Sequence, residues 1–245
     1  MKAMIFAAGV GSRLRPLTDY KPKALVEVGG KPLLQHTIEK LIRSGFDEII
    51  INVHHFAEQI IDFVREKDSF GARIDFSDER DRLLDTGGGI KKAGWFFDDC
   101  SPFLVHNVDI LSDINLQDLY DFHVKGGHTA TLVCSDRETS RYLLFDDDDR
   151  LSGWTNVKTG EVKSTIKDFD VSRYRKLAFS GIHAIDTRVF NLMSDFSDKF
   201  SIIDFYLSIC DNEDICCYVP KKGYMIDVGK PETLEEANRL FKGKI

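Results

Sequence analysis

Near the start of this 245-residue chain, Gly9-Val10-Gly11-Ser12-Arg13 follows an apolar run from Ala3 to Ala8. The run reads as a short buried strand, and glycines in the loop after it let backbone amides come close to a ligand. Arg13, Arg15, Lys21, Lys23 and Lys31 crowd the same stretch against only Asp19 and Glu27, a local +3 in a chain of formal net charge −7. A strand, a glycine loop and a cluster of cations suit the binding of a polyphosphate. Two familiar phosphate loops do not match. A dinucleotide loop needs a third glycine where Leu14 stands, and a P-loop needs Ser or Thr after Gly30-Lys31, where Pro32 stands. A merely basic surface loop does not account for two glycines, two arginines and a lysine fixed behind Pro22.

What remains is Ala7-Ala8-Gly9-Val10-Gly11-Ser12-Arg13-Leu14-Arg15-Pro16-Leu17-Thr18 followed by Lys21-Pro22-Lys23-Ala24-Leu25. This double motif resembles the signature of the sugar-phosphate nucleotidyltransferases, which join a nucleoside triphosphate to a sugar 1-phosphate. Four later segments continue the resemblance over nearly the whole chain. Leu84 to Ile90 is similar to the segment that lies along the nucleobase. His106 to Leu111 is similar to the strand end that carries a magnesium aspartate. Phe179 to Ile182 is similar to the turn against the sugar phosphate, and Tyr224 to Glu232 to the motif with the second metal aspartate.

The resemblance implies an α/β fold, with a Rossmann-like mixed, mostly parallel sheet and helices on both faces (the nucleotide-diphospho-sugar transferase fold). It implies one catalytic domain over 1–245, with a nucleotide-binding half, 1–128, and a sugar-phosphate-binding half, 129–245. Ala7, Ala8, Gly9, Gly11, Ser12, Arg13, Lys23, Thr86, Gly87, Gly88 and Asn107 would then bind the nucleotide. Lys23, Arg13 and Asp109 would carry the chemistry, and Asp109 and Asp227 would hold Mg²⁺. Gly181, Glu161 and Lys163 would meet the sugar phosphate. The family's Glu-Lys-Pro triplet is absent, which leaves Lys163 and Lys167 as candidates for its second basic residue. UTP with N-acetylmuramate 1-phosphate is the expected substrate pair, and GTP with mannose 1-phosphate the alternative. A non-catalytic nucleotide sensor on the same fold would have no need of a metal pair. Some relatives carry hexapeptide repeats for a second domain, and none is found here.

Composition narrows the class. A sequence pI near 5.5 and the lack of a long basic stripe outside the opening loop speak against nucleic acid as a partner. No stretch approaches the roughly 20 apolar residues of a membrane span, and the opening run is too short for a signal peptide. Cys100, Cys134, Cys210, Cys216 and Cys217 form no C-x-x-C pair and read as structural thiols, which argues against zinc and for the cytoplasm. The seven histidines match no metal spacing. Asp146 to Asp149 lacks the alternation and central glycine of a calcium loop and reads as a solvated turn. The oligomeric expectation is a monomer or small homo-oligomer.

The elements that must position these groups follow from periodicity. Leu33–Ser44 and Ala57–Lys67 read as amphipathic helices, Glu48–Val53 as a strand buried on both faces, Ala72–Ser77 as a third strand and Gly87–Phe97 as a helix. Phe103–Asn107 is a buried strand ending near Asp109. Thr129–Cys134 is a strand, and Tyr142–Phe145 with Leu151–Trp154 a hairpin. Lys176–Ile185 is a strand, Ser201–Cys210 a helix, Ile215–Val219 and Tyr224–Val228 are strands, and Glu232–Lys242 is a closing helix.

Overall fold

The computed structural model describes residues 1–221 and 223–242. Its strands are β1 (Lys2–Phe6), β2 (Glu27–Val28), β3 (Lys31–Pro32), β4 (Glu48–Val53), β5 (Arg73–Asp78), β6 (Phe103–Asn107) and β7 (Ile110–Ser112). They continue with β8 (Ala130–Ser135), β9 (Arg141–Phe145), β10 (Leu151–Asn156), β11 (Glu161–Lys163), β12 (Arg175–Ile185), β13 (Ile215–Tyr218) and β14 (Met225–Asp227). The helices are α1 (Leu33–Arg43), α2 (Ala57–Glu66), α3 (Asp85–Lys92), α4 (Leu116–Gly126), α5 (Val189–Leu192), α6 (Ile202–Ile209) and α7 (Pro231–Phe241).

One ten-stranded sheet runs in the order β11-β10-β9-β12-β6-β1-β4-β5, with β8 and β13 branching from β12. The pairs β6-β1, β1-β4 and β4-β5 are parallel. The antiparallel pairs gather around β12 and the β9-β10-β11 meander. Alternate residues of β1 enter opposite cores: Ala3 and Ile5 pack on one side and Met4 on the other. Both faces are covered, by α1, α2, α4 and α7 on the first and α3, α5 and α6 on the second. Burial on two faces is why these strands read as unbroken apolar runs.

Most predicted elements hold within a residue or two. The predicted Gly87–Phe97 helix differs: α3 starts at Asp85 and ends at Lys92, and a 3₁₀ turn, Gly94–Phe97, carries Phe96 and Phe97 into the second core. The aspartate run is a turn, in which Asp146 accepts from the amides of Asp148 and Arg150. Residues 224–228 are also placed differently than a strand of the open sheet would be. β14 pairs antiparallel with β7 in a separate two-stranded ribbon, with Asp227 opposite Ile110.

Candidate active site

A cavity of about 540 Å³ opens beyond the carboxyl ends of β1 and β6. Its wall includes Ala7, Ala8, Gly9, Gly11, Ser12, Arg13, Lys23, Thr86, Asn107 and Asp109, so most of the expected nucleotide residues meet in one place. Crevices in open sheets form where strands end in loops, as they do here. Gly11 has φ +67, and a side chain there would strike Lys23 and Thr18. Thr18 donates to the Gly11 carbonyl at 2.9 Å and closes the loop on itself. Leu14, which breaks the dinucleotide pattern, is buried in the first core and anchors the loop.

The positive cluster divides. Lys31 pairs with Glu39 on α1 at 3.1 Å and Arg15 with Asp19 at 3.3 Å, whereas Arg13 and Lys23 line the cavity. Lys23 opens a 3₁₀ turn behind Pro22 and is buried. It lies under the glycine loop, where its ammonium pairs with Asp109.

Asp109 and Asp227 are brought together by the ribbon rather than by neighbouring strands of the main sheet. The Val228 amide donates to the Asp109 carbonyl at 2.8 Å, locking the two segments in register. The missing side chain of Gly229 leaves room beside both Asp227 Oδ1 and Arg13 Nη2. Asp227 is exposed to water. Even so, the surrounding chain and then the charge of Asp109 raise its pKa above the ordinary carboxylate value, against Lys23, Arg13 and Arg137. Two carboxylates in that relation favour a cation between them. Among the described residues no group of three or more His, Cys, Asp or Glu is placed to hold a metal. A carboxylate pair fits magnesium, which binds through one or two carboxylates plus substrate phosphates.

Sequence reasoning missed the floor of the cavity. Asn52, at the end of β4, accepts from the amides of Ala7 at 2.7 Å and Ala8 at 3.2 Å. Its amide donates to Glu79 at 2.8 Å, and Glu79 accepts from the Leu84 amide at 3.0 Å. Glu79 is fully buried and borders the cavity with Lys199. The available signal was one asparagine inside the apolar run EIIINV.

The glycines of α3 have another use than the cavity wall. The amides of Gly87 and Gly88 donate to the Phe200 carbonyl at 2.9 and 3.2 Å, and a side chain on Gly88 would sit 2.0 Å from the Asp198 carbonyl. They let the 198–200 segment pack onto the helix, while Thr86 lines the cavity and its hydroxyl accepts from the Ile202 amide at 2.9 Å.

The expected sugar-phosphate residues part company. Gly181, at φ +72, occupies the irregularity where β12 shifts its pairing with β8, and it packs against Asn107. Glu161 and Lys163 lie on β11 in a second cavity of about 520 Å³ that also holds Trp154, Tyr142 and Arg137. Lys163 is already engaged: its ammonium bonds Asp204 at 2.9 Å and lies 5.3 Å from the Trp154 ring centre. Beneath the strand ends, His106 and His183 are buried, and burial pushes their pKa values down to about 4 and about 3. All five cysteines are free thiols. No helix among the described residues is long and apolar enough to cross a membrane.

Known proteins resemble this chain in sequence and in fold. The sequence model of the family described as nucleotidyl transferase matches residues 2–243. The N-acetylmuramate alpha-1-phosphate uridylyltransferase of Caulobacter vibrioides is 30% identical over 241 residues, 94% of this chain and 92% of that protein. The mannose-1-phosphate guanyltransferase of Kluyveromyces lactis is 30% identical over 252 residues, 98% of this chain but 64% of that protein. The crystal structure of HddC from Yersinia pseudotuberculosis, complexed with GMP-PN, superposes with a TM-score of 0.77 at 25% identity, covering 98% of this chain and 99% of that one.

Proposed function

The chain belongs to the nucleotidyl transferase family, and on that premise we propose that it joins a nucleoside triphosphate to a sugar 1-phosphate. The products are a nucleoside-diphosphate sugar and pyrophosphate. One observation carries this reading: the Gly9–Arg13 loop, Lys23 and Asp109 line one cavity, and the β7-β14 ribbon sets Asp227 near Asp109.

The reaction is an in-line displacement. An oxygen of the sugar 1-phosphate bonds to the α-phosphorus while the bond from that phosphorus to the β-phosphate oxygen breaks, and pyrophosphate departs with the electron pair. A phosphate monoester has its second pKa near 6, so the attacking oxygen is already ionised at neutral pH and needs no general base. What remains is alignment and neutralisation of two polyanions. The Gly9 to Ser12 amides, braced from below by Asn52 through Ala7 and Ala8, receive the phosphate chain, with Arg13 on its β and γ groups. Lys23 meets the α-phosphate. Its pairing with Asp109 keeps a buried ammonium neutralised where it stands, as a buried charge requires. Asp109 and Asp227 would hold Mg²⁺, which when bound supplies positive charge shared among the phosphate oxygens. Asn107 and Thr86 border the base and ribose, and residues 129–245 supply the sugar side. The five free thiols fit a reducing compartment, so we place the reaction in the cytoplasm. Nucleic acid is not a partner in this reading, and the working unit is a monomer or small homo-oligomer.

UTP with N-acetylmuramate 1-phosphate is the first substrate pair, supported by the relative matched along 92% of its length. GTP with mannose 1-phosphate is the second, supported by the relative that matches 98% of this chain. A matrix of the four ribonucleoside triphosphates against several sugar 1-phosphates, read by pyrophosphate release, tests both. Activity in no pair overturns the reaction, and a tenfold preference for GTP over UTP overturns the first pair in favour of the second.

A further inference from the structure

Lys163 is bound to Asp204, and Lys167 borders neither of the cavities around the site. A different cation stands free at this end of the site. Arg137 stands in the loop between β8 and β9, exposed to water. It borders two spaces at once: the 520 Å³ cavity that holds Trp154 and Tyr142, and a smaller one of about 190 Å³ shared with Asp227 and Ser180. Its guanidinium donates to the Phe179 carbonyl at 3.2 Å, which holds it over the Phe179–Gly181 turn. Among the described residues no carboxylate lies within ion-pair distance of it, although its charge reaches Asp227. Ser180 supplies an independent sign. Its hydroxyl is buried and has no hydrogen-bond partner, and it borders the same small space. A buried hydroxyl left unpartnered is costly unless a ligand completes it.

We propose that Arg137 is the cation that receives the phosphate of the sugar 1-phosphate, with the Ser180 hydroxyl as a second donor to the same group. This rests on the reaction proposed above. A guanidinium presents paired donors that match two phosphate oxygens, which a lysine ammonium does not. Held at the junction of the two spaces, the phosphate faces the Asp227 side, and the sugar ring lies in the larger cavity against Trp154 and Tyr142. Lys163 is then part of that cavity's frame.

The test measures KM for both substrates in the wild type and in Arg137→Ala, Arg137→Lys, Ser180→Ala and Lys163→Ala. UTP with N-acetylmuramate 1-phosphate and GTP with mannose 1-phosphate are the probes, and thermal melting serves as the control for folding. Arg137→Ala is expected to raise the sugar 1-phosphate KM about tenfold or more, the scale of one charge-assisted hydrogen bond, with the triphosphate KM within twofold. Arg137→Lys should recover part of the loss, Ser180→Ala should cost about threefold, and Lys163→Ala little. Three results overturn the proposal: a sugar 1-phosphate KM within twofold of wild type in Arg137→Ala, an equal rise in both KM values there, or a tenfold rise in Lys163→Ala. An active wild type with any of these sinks the assignment of Arg137 alone. A wild type that releases pyrophosphate from neither pair sinks the reaction as well.

Discussion

At the proposed nucleotide end of the site, two backbone amides rest on the carboxamide of Asn52, which hands on to the fully buried carboxylate of Glu79. At the proposed sugar end, Lys163 and its partner Asp204 are about half exposed, at 45% and 55%, and Arg137 stands in an open loop. The first wall is made of main chain fixed from behind, and the second of side chains that water can reach. Fixed amides can hold a polyphosphate without reorganising, which is where electrostatic stabilisation gains most. Side chains in water are easily exchanged for others, as suits the end that must tell one sugar from another. Damage to the floor should therefore move stability and triphosphate binding together, and damage to the outer wall should move sugar binding alone.

The largest effects belong to the seam between the walls. Lys23→Ala is expected to lower kcat by about 10²-fold or more, the scale for losing one preorganised electrostatic donor. Because the residue is buried against Asp109 and not on a surface loop, melting should fall too. Asp227→Asn keeps the shape at an exposed position, so it should fold normally and still lose turnover by a similar factor at saturating Mg²⁺. Steady-state rates across a magnesium titration decide this. A near-normal rate with an unchanged magnesium response would remove Asp227 from the metal pair.

Next comes the floor. Asn52→Ala leaves the Ala7 and Ala8 amides and one oxygen of Glu79 without their partner, and buried groups so abandoned cost about 1–3 kcal/mol each. We expect a loss of about 2–4 kcal/mol in denaturant unfolding and a rise of about tenfold in triphosphate KM, with the sugar 1-phosphate KM unmoved. A variant of normal stability and normal triphosphate KM would show that the floor does not brace the loop.

This contrast also marks what could be read from the chain alone. The opening loop was legible because its glycines, cations and proline are consecutive, and β1, β4 and β6 because two-sided burial leaves an unbroken apolar record. Asn52 and Glu79 lie 27 positions apart, and nothing local ties one to the other or either to Ala7. The glycines of α3 looked like a ligand turn, yet what they accommodate is a carbonyl more than a hundred residues away. Asp109 and Asp227, paired as metal ligands only by the resemblance, are set near each other by the ribbon of β7 with β14, which no local pattern announces. Arg137 carried no signal, because its loop belongs to no motif.

The layer that joins the two walls should respond to pH. His106 of β6 and His183 of β12 are held neutral by burial, as is His123 of α4, whose pKa is down to about 4. The unfolded chain binds protons on these rings below about pH 6.5 and the fold does not, so stability is unpenalised above that value and drains as pH falls toward 4. A loss of at least about 2 kcal/mol between pH 7 and pH 4.5 is expected in denaturant unfolding. A flat profile would mean that the rings take up protons within the fold.

The smallest effect tests the outer wall. The ion pair of Lys163 with Asp204 has both members about half in water, where such pairs contribute roughly 0–1 kcal/mol. Its contact with the Trp154 ring is of the exposed kind, worth about 0.5–1 kcal/mol. Neither leaves a buried group stranded when the lysine is cut back. Lys163→Ala should therefore melt within about 2 °C of the wild type, a shift that corresponds to under about 1 kcal/mol for a chain of this size. Its sugar 1-phosphate KM should rise by no more than about threefold, from the loosened Trp154 face, and kcat should stay put. Asp204→Ala separates the remaining alternatives, since it frees the ammonium without removing it. If Lys163 only frames the cavity, Asp204→Ala resembles Lys163→Ala. If the lysine is a phosphate ligand restrained by its partner, Asp204→Ala lowers the sugar 1-phosphate KM while Lys163→Ala raises it. Opposite signs in that pair of variants would give the outer wall a charge-binding role for Lys163 and erase the contrast with the floor.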